Sequence, residues 1–217
     1  MSASDFTQSE LLEKFETALA NAEHPDIAPA LTAAGYDAVA LAADRDLLAQ
    51  IRAARAAQQK ESAEARSAHA AEAEAEKAAR ASLVLLHRLI QLADRQAADL
   101  EIKSLLQIEP SPAAEAAFLD YTTGLLDRIE ANPEVSAAVA SVGVNAARIT
   151  EIRGLLAAMR QANVTQEKEQ GEAEQATAVY RALIAQCRLA YDLMVIYAHQ
   201  GLADNPQMLE VLGFGAV

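Results

Sequence analysis

The stretch DAVALAADRDLLAQIRAARAAQQKESAEARSAHAAEAEAEKAARASLVLLHRLIQLADRQAADLEIKSLLQI, residues 37–108, decides the fold. It holds neither proline nor glycine, and alanine, leucine, glutamate, lysine and arginine dominate it. All five are strong helix formers, so the stretch predicts one helix, about 100 Å long at 1.5 Å per residue. A shorter counterpart spans 145–200.

Apolar and small residues recur along both stretches in alternate steps of four and three, the spacing of a helix–helix seam. The first seam starts at Leu47 and Ile51, passes Ala54, Gln58, Glu61, Ala65 and Ala68, and ends through Leu86, Leu89, Ala93 and Leu100, with Gln96 a polar interruption. The second runs through Leu155, Met159, Ala162, Gln166, Glu169, Ala173 and Ala176 to Tyr180, Leu183, Cys187, Met194 and Tyr197. Large apolar ends flank an alanine-lined middle in each, which suits close approach of helix axes.

The elements before each long helix follow the same order. Thr7-Gln8-Ser9-Glu10 fits a capping box, and Leu11, Leu12, Phe15 and Leu19 follow at helical spacing, giving a helix over 8–22. His24-Pro25 ends it. A short segment then reaches Gly35, placed for a left-handed C-terminal cap, though Pro29 argues against a regular helix there. Asp37 caps the long helix. In the second half, Glu109-Pro110-Ser111-Pro112 breaks the chain, with Ser111 predicted as N-cap and Pro112 as first residue of a helix carrying Phe118, Tyr121, Leu125, Leu126 and Ile129. Asn132-Pro133, a short segment, Gly143 and the Asn145 cap then lead into the second long helix.

A shift of 108 residues lays 25–65 on 133–173 without a gap. Pro25 meets Pro133, Gly35 meets Gly143, Arg45 meets Arg153, and Gln58, Lys60 and Glu61 meet Gln166, Lys168 and Glu169. Roughly a third of the positions are identical, which reads as an internal duplication. Beyond that block the first long helix carries about seven extra residues within 66–80, one heptad, which keeps the seam in phase and implies unbroken helix. Asn205-Pro206, Met208, Leu209, Val211, Leu212 and Gly213 repeat the Asn-Pro, short helix, Gly theme. That tail reads as a capping segment, with a docking peptide as the alternative.

The fold class expected is therefore all-α: an elongated bundle of two tandem repeats, 1–109 and 110–204, packed together, with a capping segment at 205–217. Short helices of about 22 and 30 Å cannot cover the long seams, so the uncovered remainder must meet itself or another copy of the chain.

Composition narrows the function. The formal net charge of −13 argues against nucleic acid and against anionic lipid. Aromatic residues are 4% and tryptophan is absent, which lowers the expectation of a small-molecule pocket. The start, MSASDFTQSELL, has neither a basic n-region nor an apolar h-region, and the apolar run 83–92 is too short to span a bilayer. With a single cysteine, Cys187, these features point to a cytoplasmic protein.

One constellation stands on both seams. Gln58 with Glu61, and Gln166 with Glu169, form a polar layer that sets helix register; the sharper alternative is a carboxylate metal site. No Glu-x-x-His pair accompanies it, and His24, His69, His87 and His199 lack metal-ligand spacing. Cys187 reads as a small buried hydrophobe, and Tyr180, Tyr191 and Tyr197 as core or interface anchors. The Gly35-Tyr36-Asp37 and Gly143-Val144-Asn145 turns and the paired Gln-x-Lys-Glu segments point to no known family. The expectation is a non-enzymatic scaffolding protein without cofactor or metal. It acts through self-association or another protein, with Leu47, Ile51, Leu86, Leu89, Leu155, Met159, Leu183, Met194 and Tyr197 as its seam. The alternatives are a four-helix-bundle carrier of a metal or small apolar ligand and, third, a helical protein that unpacks onto membranes.

Overall fold

The computed structural model describes Ala3 and residues 6–214. Residues 1, 2, 4 and 5 of the 1–12 start, and the last three residues of the 205–217 tail, lie outside the described residues. The protein is 83% helical, with no strand among the described residues. Among the described residues eight α-helices follow one another: α1 (Gln8–Asn21), α2 (Ala28–Ala34), α3 (Ala38–Gln96), α4 (Ile102–Leu105), α5 (Glu115–Ala131), α6 (Pro133–Ser141), α7 (Ala146–Gly201) and α8 (Gln207–Val211).

The chain forms two compact units, one from 1–63 with 170–217 and one from 64–169. Each unit draws on both halves of the sequence, because α3 and α7 each contribute to both.

In the first unit α1 starts on the Thr7 capping box: Thr7 accepts from the Glu10 amide, and the Glu10 side chain accepts from the Thr7 amide at 2.9 Å. Leu11, Phe15 and Leu19 of α1 are buried with Ile27 and Leu31, Leu48 and Ile51 of α3, and Ile184, Tyr191 and Met194 of α7. The helices run antiparallel here. Gln58 meets Thr177, while at the other end Gly35 touches Tyr197. Tyr191 is the hub, with Phe6, Phe15 and Phe214 edge-on to its ring at 5.9, 6.3 and 5.5 Å. The tail thus lies in this core, with Leu209 and Leu212 buried and Asn21 donating to the Val211 carbonyl at 2.6 Å.

In the second unit Leu83, Leu86 and Ile90 of α3 pack with Phe118, Leu125 and Ile129 of α5, Val135 and Val139 of α6, and Ile152, Leu156 and Met159 of α7. Asn132 caps α6 through the Glu134 and Val135 amides. Arg153 ties α7 to α5 through Asp127 and Glu130, at 2.6 and 2.7 Å. Its counterpart in the first unit, Arg45, ties α3 to the end of α1 through Glu23 at 2.8 Å and the Leu19 carbonyl.

Pro29 does not prevent a regular α2, because it falls in the first turn, where its missing N–H has no intrahelical partner to lose. Gly35 ends that helix at φ +108°, and the Tyr36 amide reaches back to the Leu31 carbonyl at 2.9 Å. Gly143 repeats this at φ +98° with Val144 and Val139, as does Gly213 with Phe214 and Leu209. In all three the residue after the glycine and its carbonyl partner are buried, the apolar clasp of a Schellman cap.

Two further expectations are corrected. The first long helix stops at Gln96 rather than near residue 108. A 3₁₀ turn at Ala98–Leu100 and α4 follow, with Glu101 and Gln107 in left-handed backbone. The reversal buries Ile102 and Leu106 in the second core, and Asp94 accepts the Lys103 amide at 3.1 Å. Burying two aliphatic side chains is worth more than the roughly 1–2 kcal/mol each left-handed residue costs. The helix after the proline break starts at Glu115, not at Pro112. Arg80 of α3 takes the Pro112 and Ala113 carbonyls at 2.9 and 2.7 Å, which holds that segment off the helix.

Candidate functional site

The first unit carries an open groove of about 400 Å³ between α3 and α7. Ala54, Ala57 and Ala176 form much of its lining, with Val179 beside them and Glu61, Glu172 and Gln175 at its polar margin. Alanines with no bulk to interdigitate leave this space along the seam. Gln58 bridges the two helices next to it, donating to the Thr177 hydroxyl at 3.4 Å. The neighbouring Lys60 and Glu61 pair at 3.1 Å.

The polar layer expected from sequence divides between the units. Gln58 and Glu61 belong to the first, Gln166 and Glu169 to the second, where Lys168 and Glu169 pair at 3.0 Å. All four side-chain positions are half-buried. Of the expected seam residues, Ile51, Leu86, Met159 and Met194 are buried, and Leu47, Leu89, Leu155, Leu183 and Tyr197 pack partly buried against the two cores.

Burial keeps two titratable groups of the first core, Cys187 and Tyr36, in their protonated forms. Burial pushes the Cys187 thiol up to about 11, the Asp44 carboxylate adding to the effect, so it stays protonated at neutral pH. Tyr36 donates to Asp44 at 2.8 Å, and burial raises the phenol well above its ordinary value. Burial also raises Asp44, against the opposing pull of the Tyr36 hydrogen bond.

Sequence reasoning missed one polar cluster, in the second unit. The Tyr121 hydroxyl donates to the Glu109 carbonyl at 2.9 Å and accepts the Glu109 amide at 3.1 Å, pinning the chain just before the proline break. His87 Nε2 lies 3.0 Å from the same hydroxyl. The phenol's one proton is committed to Glu109, so His87 Nε2 is the donor and Nδ1 the site that would take a proton. Its only advance sign was that Tyr121 and His87 each fall beside a core position.

Burial lowers the His87 pKa, so the fold favours the neutral ring. The unfolded chain then binds the extra proton more readily, and stability falls as pH drops below about 6.5. His87→Gln keeps a side-chain donor and cannot titrate. The wild type is expected to lose more of its urea midpoint than His87→Gln between pH 7.5 and 5.5, by no more than the one-proton limit of about 1.4 kcal/mol per pH unit. Parallel midpoints in the two proteins would remove the assignment.

Among the described residues, no helix is long and apolar enough to cross a membrane. Comparison with known proteins finds no counterpart: no family model, no curated protein and no solved structure matches the chain.

Proposed function

We propose that the protein is a non-enzymatic structural element that works by binding protein surfaces, copies of itself first among them. On this reading a short helix, a glycine-clasped turn and a long helix form a module that has been duplicated. The matched Asp37 and Asn145 caps, Gly35 and Gly143 turns, and Arg45 and Arg153 ties support that descent. The observation that carries the function is the placement of large apolar side chains on the outside of the long helices. Val84, Leu85 and Leu92 lie exposed on α3, and Leu189, Leu193 and Ile196 on α7, grouped within a few turns rather than scattered. Solvated apolar groups in such clusters mark interaction surfaces.

Sedimentation of the full chain across a wide concentration range tests this reading. A mass rising above the 23.1 kDa of one chain is expected. A single species of one-chain mass at every concentration removes self-association.

The groove beside Gln58 favours a second reading, a carrier of a small apolar ligand. A medium-chain fatty acid that raises the melting temperature with the logarithm of its concentration would support it, and an unchanged melt at saturating ligand would remove it.

A further inference from the structure

The outward face of α7 in the first unit has an order along its length. Ala178, Ala182 and Ala185 form its first half, and Leu189, Leu193 and Ile196 its second, and all six are exposed. The three large side chains keep 66, 53 and 59% of their surface in solvent. The steps between these residues are threes and fours, so they form one stripe along the helix. Gln186 stands at the middle, and no charged residue lies on the stripe.

A stripe that is small at one end and large at the other is complementary to itself when reversed. A two-fold axis near Gln186 sets Leu189 of one copy against Ala185 of the other, Leu193 beside Ala182, and Ile196 against Ala178. The flank matches in charge as well: the same axis brings Arg181 of one copy beside Asp192 of the other, a carboxylate that also accepts the Ala3 amide at 2.8 Å. Such an isologous contact closes on itself and forms a dimer.

Charge favours the same occupant. The chain carries −13, which repels a second copy over most of its surface. Between residues 175 and 200 the only Lys, Arg, Asp or Glu residues are Arg181, Arg188 and Asp192, a local sum of +1. Two copies can meet here without facing acidic surfaces. An anionic membrane would need a basic flank, and Arg188 is already engaged by the Ala3 and Phe6 carbonyls.

We infer that α7 pairs with α7 of a second copy, antiparallel, through the stripe from Ala178 to Ile196. The inference rests on the self-association reading and names its surface, geometry and partner.

The test uses the full chain. Leu189→Glu with Leu193→Glu should weaken dimerisation at least about 100-fold by sedimentation while leaving the far-UV helical signal unchanged, since both side chains are exposed. If that pair perturbs the fold, Ala182→Glu on the small half serves instead. Orientation is read from single added cysteines, Cys187 itself being buried. Gln186→Cys lies by the axis and should cross-link two copies on oxidation. Gln175→Cys should not, because its copies stand more than 20 residues apart along the antiparallel pair, about 35 Å.

A dimer that survives the double substitution overturns this face and leaves self-association standing. Equal cross-linking at 175 and 186 overturns the antiparallel arrangement. A wild type that stays monomeric at the highest concentration overturns both the inference and the self-association reading beneath it.

Discussion

Phe118→Ala is expected to destabilise the protein by about 3–5 kcal/mol, the cost of removing a fully buried aromatic ring that its surroundings cannot refill. The ring has no solvent exposure and sits among the buried residues of the second unit. Those neighbours come from α3, α5, α6 and α7, which the Arg80 contacts, the Asn132 cap and the Arg153 ties hold in place, so collapse around the void is restricted. Against a net stability of roughly 5–15 kcal/mol for a folded domain, the change removes a large fraction. The ring also supports Arg80, whose guanidinium lies 4.6 Å from its centroid. Arg80 does three things at once: it pairs with Glu76 at 2.7 Å, it holds the Pro112 and Ala113 carbonyls, and it covers Phe118. Losing the ring face is worth about 0.5–2 kcal/mol of cation–π attraction, so Arg80→Ala should cost less in the Phe118→Ala background than in the wild type. Urea melts of the two single variants and the double variant, followed by circular dichroism, measure this. Strict additivity would mean the ring and the guanidinium do not act together.

Arg80 also marks where the sequence stops being readable. Helix content, the seam phase and the three glycine clasps follow from local rules: propensity, steps of three and four, and the need for positive φ. Ile51 and Met194 reach their buried places by that logic alone. The start of α5 does not. Ser111-Pro112 is a good local signal for a helix start, and Arg80, more than 30 residues earlier, overrides it by taking the carbonyls that precede Glu115. The end of α3 fails for the same kind of reason. Nothing in 97–108 forbids helix, and the chain turns because Ile102 and Leu106 find a core across the turn. The antiparallel course of α3 and α7 in the first unit was likewise unreadable, since a seam of steps of three and four is satisfied in either direction. The outward α7 stripe was legible only in part. The seam through Cys187 and Met194 leaves Leu189, Leu193 and Ile196 off it, but only the packed structure shows that no other element covers them.

Two glycines in the same helix are expected to respond to alanine in opposite directions. At Gly154 an added Cβ meets nothing within 4 Å, so Gly154→Ala should stabilise by about 0.5–1 kcal/mol, the ordinary gain of alanine over glycine inside a helix, and raise the melting temperature by about 1–4 °C. At Gly201, the last residue of α7, the same atom would lie 2.4 Å from the Ala30 carbonyl oxygen and 2.9 Å from its carbon. Those are backbone atoms of α2, which Pro29 opens and the Gly35 clasp closes, so no flexible side chain is there to yield. The end of α7 would have to move away from α2. Ala198 and Leu202, both buried beside it, would lose packing in the process. Overpacking of this kind costs about 1–3 kcal/mol and outweighs the helix-propensity gain, so Gly201→Ala should lower the melting temperature while Gly154→Ala raises it. Differential scanning calorimetry of the two variants decides the matter. If Gly201→Ala melts at or above the wild type, α2 gives way to the new methyl, and the close approach of α7 to it is not what fixes that end of the first unit.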